Sequence, residues 1–177
     1  MTDVKQMVSA SRLVTLTGPG GVGKTRLALK VAVDVRRAFG DGVWLVELDQ
    51  LRDPALVSHT VAASLGLREQ SGRPPMAVLA EYLAQRRLLL VLDNCEHLVD
   101  AVAVLADMLL RSRPQLRILA TSGAPLRIGG RLAFSAWLYR VVPPLPLPVR
   151  PVRDRNSWSS PPARRSPSSR WAWRSPD

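Results

Sequence analysis

Gly18, Pro19, Gly20, Gly21, Val22, Gly23, Lys24 and Thr25 form a complete G-x-x-x-x-G-K-[ST] run. The chemistry it suits is the holding of phosphate. Glycines let consecutive backbone N–H groups converge on one anion without a Cβ in the way. A helix starting at the end of the run would aim its positive end at the same anion. Lys24 would reach the outer phosphates of a nucleoside triphosphate, and the Thr25 hydroxyl would ligate Mg²⁺. Arg26, the next residue, stands within reach of the same group.

Asp93 is the second residue of this kind. It closes the apolar run of residues 88–92, as expected of a strand whose carboxyl end opens on a ligand. A carboxylate there would hold Mg²⁺ directly or through water. Asn94 follows; it can position a water but cannot accept its proton at neutral pH. An Asn94→Glu change would supply a base, and without one slow hydrolysis is expected. Glu96, two residues further on, is a candidate to stand in for the missing base, and is read in preference as an N-terminal helix carboxylate that favours the dipole. Thr121 and Ser122 end a later apolar run, where a hydroxyl either senses a terminal phosphate or caps the strand end. Cys95 and His97 read as packing and helix residues. Two histidines and one cysteine are too few for a Cys/His zinc site.

These residues require strands and helices in strict alternation. Residues 12–17 are β-branched and apolar, and after the loop Leu27, Val31 and Val35 recur at helical spacing. Further strands are expected at 43–48, 86–93 and 116–121. Helices are expected at 53–66, opened by Asp53-Pro54, at about 75–85, and at 96–111. The fold class is α/β: a three-layer P-loop architecture with a mainly parallel central sheet.

Composition divides the chain. Residues 1–122 carry a net charge of +3 and residues 123–177 one of +8, with ten of the 15 prolines in the latter. A leader of residues 1–10, a nucleotide-binding domain of 11–148 and a disordered basic tail of 149–177 are expected. The tail's arginines and tryptophans would bind nucleic acid weakly and without sequence preference. Its composition also matches a high-GC gene translated out of frame. No apolar run approaches the roughly 18 residues of a membrane span. One cysteine leaves no internal disulfide, and the cytoplasm is the expected setting.

RLVTLTGPGGVGKTRLA at 12–28, DGVWLVEL at 41–48, LRDPAL at 51–56, LLLVLDNCEHL at 88–98 and RILATS at 117–122 together resemble the nucleotide-binding domain of STAND, or NB-ARC-type, ATPases. PPLPLP at 143–148 resembles the segment after that domain's last strand. The likeness is to actinobacterial SARP/AfsR-like and LuxR-like transcriptional regulators. It implies a switch controlled by ADP and ATP with Mg²⁺, whose DNA contacts belong to domains absent from this chain. Phosphate and Mg²⁺ roles then fall to Gly18, Gly23, Lys24, Thr25 and Asp93. Two departures stand out: the family's upstream Gly-Arg-Glu segment and helix are unmatched in residues 1–10, and Gly123 replaces a phosphate-sensing arginine. A small P-loop kinase and a truncated remnant that binds nucleotide poorly are the alternative readings.

Overall fold

The computed structural model describes residues 2–68, 71–128, 131–132 and 134–137. Helix α1 (Thr2–Ala10) precedes β1 (Leu13–Thr17), and α2 (Lys24–Val35) follows the glycine-rich loop. Then come β2 (Val43–Glu47), α3 (Val57–Ser64), α4 (Pro75–Tyr82), β3 (Leu89–Asp93), α5 (Val99–Ser112) and β4 (Arg117–Ser122). A short hairpin of β5 (Arg127–Ile128) and β6 (Arg131–Leu132) leads to β7 (Phe134–Trp137).

Five strands form one sheet in the order β2-β3-β4-β1-β7, every pair parallel. The apolar runs are continuous because β1 and β3 are buried on both faces. Side chains alternate between the faces. Leu90, Leu92, Ile118 and Ala120 point toward α3, α4 and α5, and Val14, Leu16, Leu89, Val91 and Leu119 toward α1 and α2. The expected α/β class and parallel sheet are both present.

Several boundaries differ from expectation for local reasons. Residues 1–10, set apart by sequence as a leader, hold α1. Val4 and Val8 recur at helical spacing and are buried beside α2, and the Lys5 ammonium lies 2.6 Å from the Asp34 carboxylate. The segment from Asp53 begins as a 3-10 turn, Pro54–Leu56, in which the Asp53 carboxylate accepts from the Ala55 N–H at 2.9 Å. The segment expected to be helical from Glu96 begins instead with a 3-10 turn, Cys95–His97, so α5 opens only at Val99. Strand β7 was not expected: its four residues give too little periodicity to read. The expected domain end near 148 and the tail 149–177 lie outside the described residues.

Candidate functional site

β4 lies between β1 and β3, so the three strand ends Thr17, Ser122 and Asp93 come side by side. The loop leaves β1 at Gly18. Gly21 and Gly23 have φ of 74° and 91°, left-handed values that glycine adopts without a Cβ penalty. A Cβ built at Gly20, Gly21 or Gly23 meets no atom within 4 Å. Backbone conformation, not crowding, therefore demands glycine at 21 and 23, and the space in front of the loop is open to a ligand. Gly23 ends the loop in the left-handed region and α2 begins at once with Lys24.

Lys24 is buried, and its Nζ donates to the carbonyls of Gly18 at 2.9 Å and Pro19 at 3.0 Å. Among the described residues no carboxylate lies within ion-pair distance of it. A buried ammonium held only by carbonyl oxygens is poorly compensated, and a phosphate would neutralise it.

Across the loop, Asp93 is 5% exposed. The Thr25 hydroxyl donates to it, with Oγ1 2.8 Å from Oδ1 and 3.0 Å from Oδ2. The Thr121 hydroxyl donates to the same Oδ1 and accepts the Asn94 N–H at 3.0 Å. Thr25 and Asp93 thus present hard oxygen donors beside the glycine-rich loop, a set whose chemistry fits Mg²⁺, which takes one or two protein oxygens and completes its shell with phosphate and water. Groups of three or more His, Cys, Asp or Glu side chains do not occur among the described residues, so no all-protein metal cage competes with this arrangement.

Asn94 has φ 61° and ψ 52°, the one left-handed non-glycine residue among those described. The turn it makes throws the chain sideways into Cys95–His97. Cys95 points inward, its Sγ 3.5 Å from the Leu92 carbonyl oxygen. Burial, then the negative charge of Asp93, pushes its thiol up to about 12, so it is inert as a nucleophile. His97 Nε2 lies 2.7 Å from the Leu51 carbonyl oxygen and ties this turn to the loop after β2. Glu96 is exposed, and a Cβ built at Gly123 would make an ordinary contact of 3.6 Å with the Glu96 Cβ.

A groove of about 420 Å³ runs over the loop, lined by Gly20, Gly21, Gly23, Lys24, Thr25, Arg26, Leu29, Asn94 and Glu96. The sequence expectation therefore converges on one place for most of its residues. Gly18 and Pro19 act behind the groove through their carbonyls, and Val22 packs against the α1–α2 core. Ser122 is buried and its hydroxyl accepts from the Ala124 N–H at 3.2 Å, the strand-end use weighed above. Thr121 acts through Asp93. Glu96, assigned by sequence to a helix terminus, lies on the groove instead. A separate depression of about 330 Å³ between α3 and α4, lined by residues such as His59 and Arg73, contains none of these groups.

A family model described as an AAA domain matches residues 6–128. The chain belongs to this family. As an AAA domain of the P-loop ATPase class it has relatives in mycobacteria. An uncharacterized protein of Mycobacterium tuberculosis H37Rv is 42% identical over 147 residues, covering 83% of this chain and 36% of the relative. A protein of the same strain bearing the name HTH-type transcriptional regulator is 43% identical over 131 residues, covering 74% of this chain and 15% of the relative. The chain thus spans about a third or less of the curated relatives it matches. Two solved structures share the fold. The Pyrococcus horikoshii STAND protein with a tetratricopeptide repeat sensor has a TM-score of 0.54 at 14% identity, over 76% of this chain and 22% of that one. Aeropyrum pernix ORC2, in ADPNP-ADP complexes, has a TM-score of 0.52 at 17% identity, over 68% and 39%. No helix among the described residues is long and apolar enough to cross a membrane.

Proposed function

We propose that this AAA domain binds ADP or ATP with Mg²⁺ and serves as the nucleotide switch of a STAND-type transcriptional regulator, with slow hydrolysis. One observation carries the reading: the buried Lys24 ammonium rests on the loop carbonyls beside a carboxylate held by Thr25 and Thr121. On binding, Lys24 exchanges the Gly18 and Pro19 carbonyls for phosphate oxygens, a charge-assisted and stronger set of bonds. The loop N–H groups and the start of α2 hold the remaining phosphate charge. Thr25 and Asp93 would hold Mg²⁺, which would supply positive charge to offset that of the phosphates. Thr121 keeps Asp93 from rotating. Arg26, at the mouth of the groove, adds a positive charge that draws the anion in.

The choice of adenine and the switch role follow the resemblance in the motifs. The relative named as an HTH-type regulator supports a regulatory setting, with DNA contact made by domains outside this chain. The STAND and ORC2 likenesses support the fold on which the reading rests.

Calorimetric titration with Mg·ADP tests this. Lys24→Ala removes at least one charge-assisted hydrogen bond of about 1.5–3 kcal/mol, so affinity should fall about tenfold or more, given about 1.4 kcal/mol per tenfold. Chelation of Mg²⁺ should weaken the wild type and leave Asp93→Asn nearly unchanged. Equal binding by wild type and Lys24→Ala would refute the site.

A further inference from the structure

We propose that the amino end of the sheet, opposite the glycine-rich loop, is a binding site for the phosphate backbone of duplex nucleic acid. The sheet is parallel, so the segments that enter its strands gather at one end. Arg12 stands one residue ahead of β1, Arg117 opens β4, and Arg87 lies two residues ahead of β3. Arg36 and Arg37 belong to the 3-10 turn Arg36–Ala38 that leads toward β2. Strands β2, β3, β4 and β1 are neighbours in that order, so arginines line the entry to four adjacent strands, a row of about 14 Å. Arg87 and Arg117 share a depression of about 370 Å³ whose lining includes Ser9, Phe39 and Gln115 and no carboxylate. Among the described residues no acid lies within ion-pair distance of any of these five arginines. Asp41, also at this end, is engaged by Arg86 at 3.2 Å and by the Arg87 N–H at 2.8 Å.

Two of the guanidiniums are held in place. Arg12 Nη1 donates to the Leu110 carbonyl at 2.7 Å, and Arg117 Nη1 to the Ser11 carbonyl at 2.9 Å. A guanidinium has five N–H donors, so one such bond fixes the fork and leaves further donors for a partner. Less side-chain freedom is then lost on binding. The fork matches phosphate oxygens bidentately, and a duplex carries one charge per about 1.7 Å of axis, or about eight phosphates along this row. The exposed large apolar side chains among the described residues are Leu29, Val33, Leu56, Val104 and Met108, none of them in these entering segments. The face thus has nothing to seat in a lipid surface. Phe39 is buried, so the depression offers no ring on which unpaired bases would stack. Phosphate contacts position a duplex without reading its sequence, which keeps them separate from the DNA contact placed above on domains outside this chain. The nucleotide groove stays free, because strands of five residues set the two ends about 17 Å apart.

The test uses the full chain as wild type, Arg36→Gln/Arg37→Gln/Arg87→Gln, Arg87→Gln alone, and Arg36→Lys/Arg37→Lys/Arg87→Lys. Residues 149–177 are common to all four, so their own contribution cancels. Anisotropy of a labelled duplex of about 20 base pairs is followed from about 50 to 200 mM salt, where each phosphate contact adds about 0.9 to the slope of log K against log salt. The triple glutamine variant should lose about two to three from that slope, and about tenfold or more in affinity at the lower salt. Arg87→Gln, an exposed single change that reads the slope even if the triple variant unfolds, should lose about one. The lysine variant keeps the charge and should keep the slope. Melting temperature and Mg·ADP affinity should stay at wild-type values throughout. No duplex binding by the wild type at the lower salt, or equal slopes in all four proteins, would overturn the site. Equal losses by the triple glutamine variant toward polyglutamate or phosphatidylserine vesicles would overturn duplex nucleic acid as the partner. Absence of Mg·ADP binding alongside the expected slopes would sink the nucleotide reading alone and support this one.

Discussion

Asn94 holds a left-handed backbone at the point where β3 gives way to the groove, a conformation that costs most residues about 1–2 kcal/mol and asparagine less. Asn94→Gly should therefore keep or raise the urea midpoint, and Asn94→Ala should lower stability by about 1 kcal/mol. Asn94→Glu, which the sequence suggested as a gain of a base, meets the same backbone penalty. It should lower the midpoint while raising phosphate release from Mg·ATP above that of the wild type. Thr121 carries a sharper prediction. Thr121→Val keeps the shape but strips Asp93 of a donor and the Asn94 N–H of its acceptor. Leaving the Asn94 N–H without its acceptor, and Asp93 with the Thr25 hydroxyl alone, costs about 1–3 kcal/mol. Thr121→Val should lose about that in denaturant unfolding and weaken Mg²⁺-dependent ADP binding, and Thr121→Ser should restore most of both. Cys95, whose thiol stays protonated far above neutral pH, should resist thiol reagents at pH 8 until the protein is unfolded.

At the scale of elements, α1 is a structural helix of the domain. Val4 and Val8 are 1% and 2% exposed, and each fully buried valine is worth about 1.5–3 kcal/mol against exposure. Removal of residues 1–10, or Val8→Asp, should lower the melting temperature by several degrees in calorimetry. The hydrogen bond from Lys5 holds the Asp34 carboxyl below its ordinary range, with burial opposing it. A carboxylate whose folded pKa is depressed stabilises at pH above its unfolded value and loses that contribution as pH falls through the folded one. The pair is solvent-exposed and its share is small. Lys5→Met should thus narrow the difference in melting temperature between neutral and acidic buffer only slightly. The turn at Cys95–His97 works at this scale too. Its short 3-10 geometry, with His97 against the Leu51 carbonyl oxygen, delays the start of α5 to Val99.

For the whole molecule, the sheet order decides which truncations are tolerated. β7 pairs with β1 from Val14↔Phe134 to Thr17↔Trp137, on the side of β1 away from β4. A chain ending at residue 128 leaves the β1 edge unpaired just below the glycine-rich loop, and should melt lower and bind ADP less tightly. A chain ending at 148 keeps β7 and should match the full-length protein in melting temperature and ADP affinity. Between 143 and 177 nine prolines remove backbone donors, and the charge is almost wholly positive. Any binding of residues 149–177 to nucleic acid should be lost in the shorter chain and be salt-sensitive in the longer one.

What the sequence determined by itself was local. The spacing of glycines before Lys24-Thr25, the double-faced apolar runs and the alternation of strand and helix each depend on a few adjacent residues, and each was legible. So was Asp93 at a strand end. The tertiary structure alone decided how distant segments meet. Thr121 reaches Asp93 only because β4 pairs directly with β3, a contact across 28 residues that no local period encodes. α1 is stable because α2 offers a surface for Val4 and Val8, and β7 because β1 has an edge to fill. The left-handed backbone at Asn94, where β3 passes into the Cys95–His97 turn, is of the same kind. Side-chain periodicity reports which face of a segment is apolar; it carries no information on a single residue's φ, nor on which strand lies beside which.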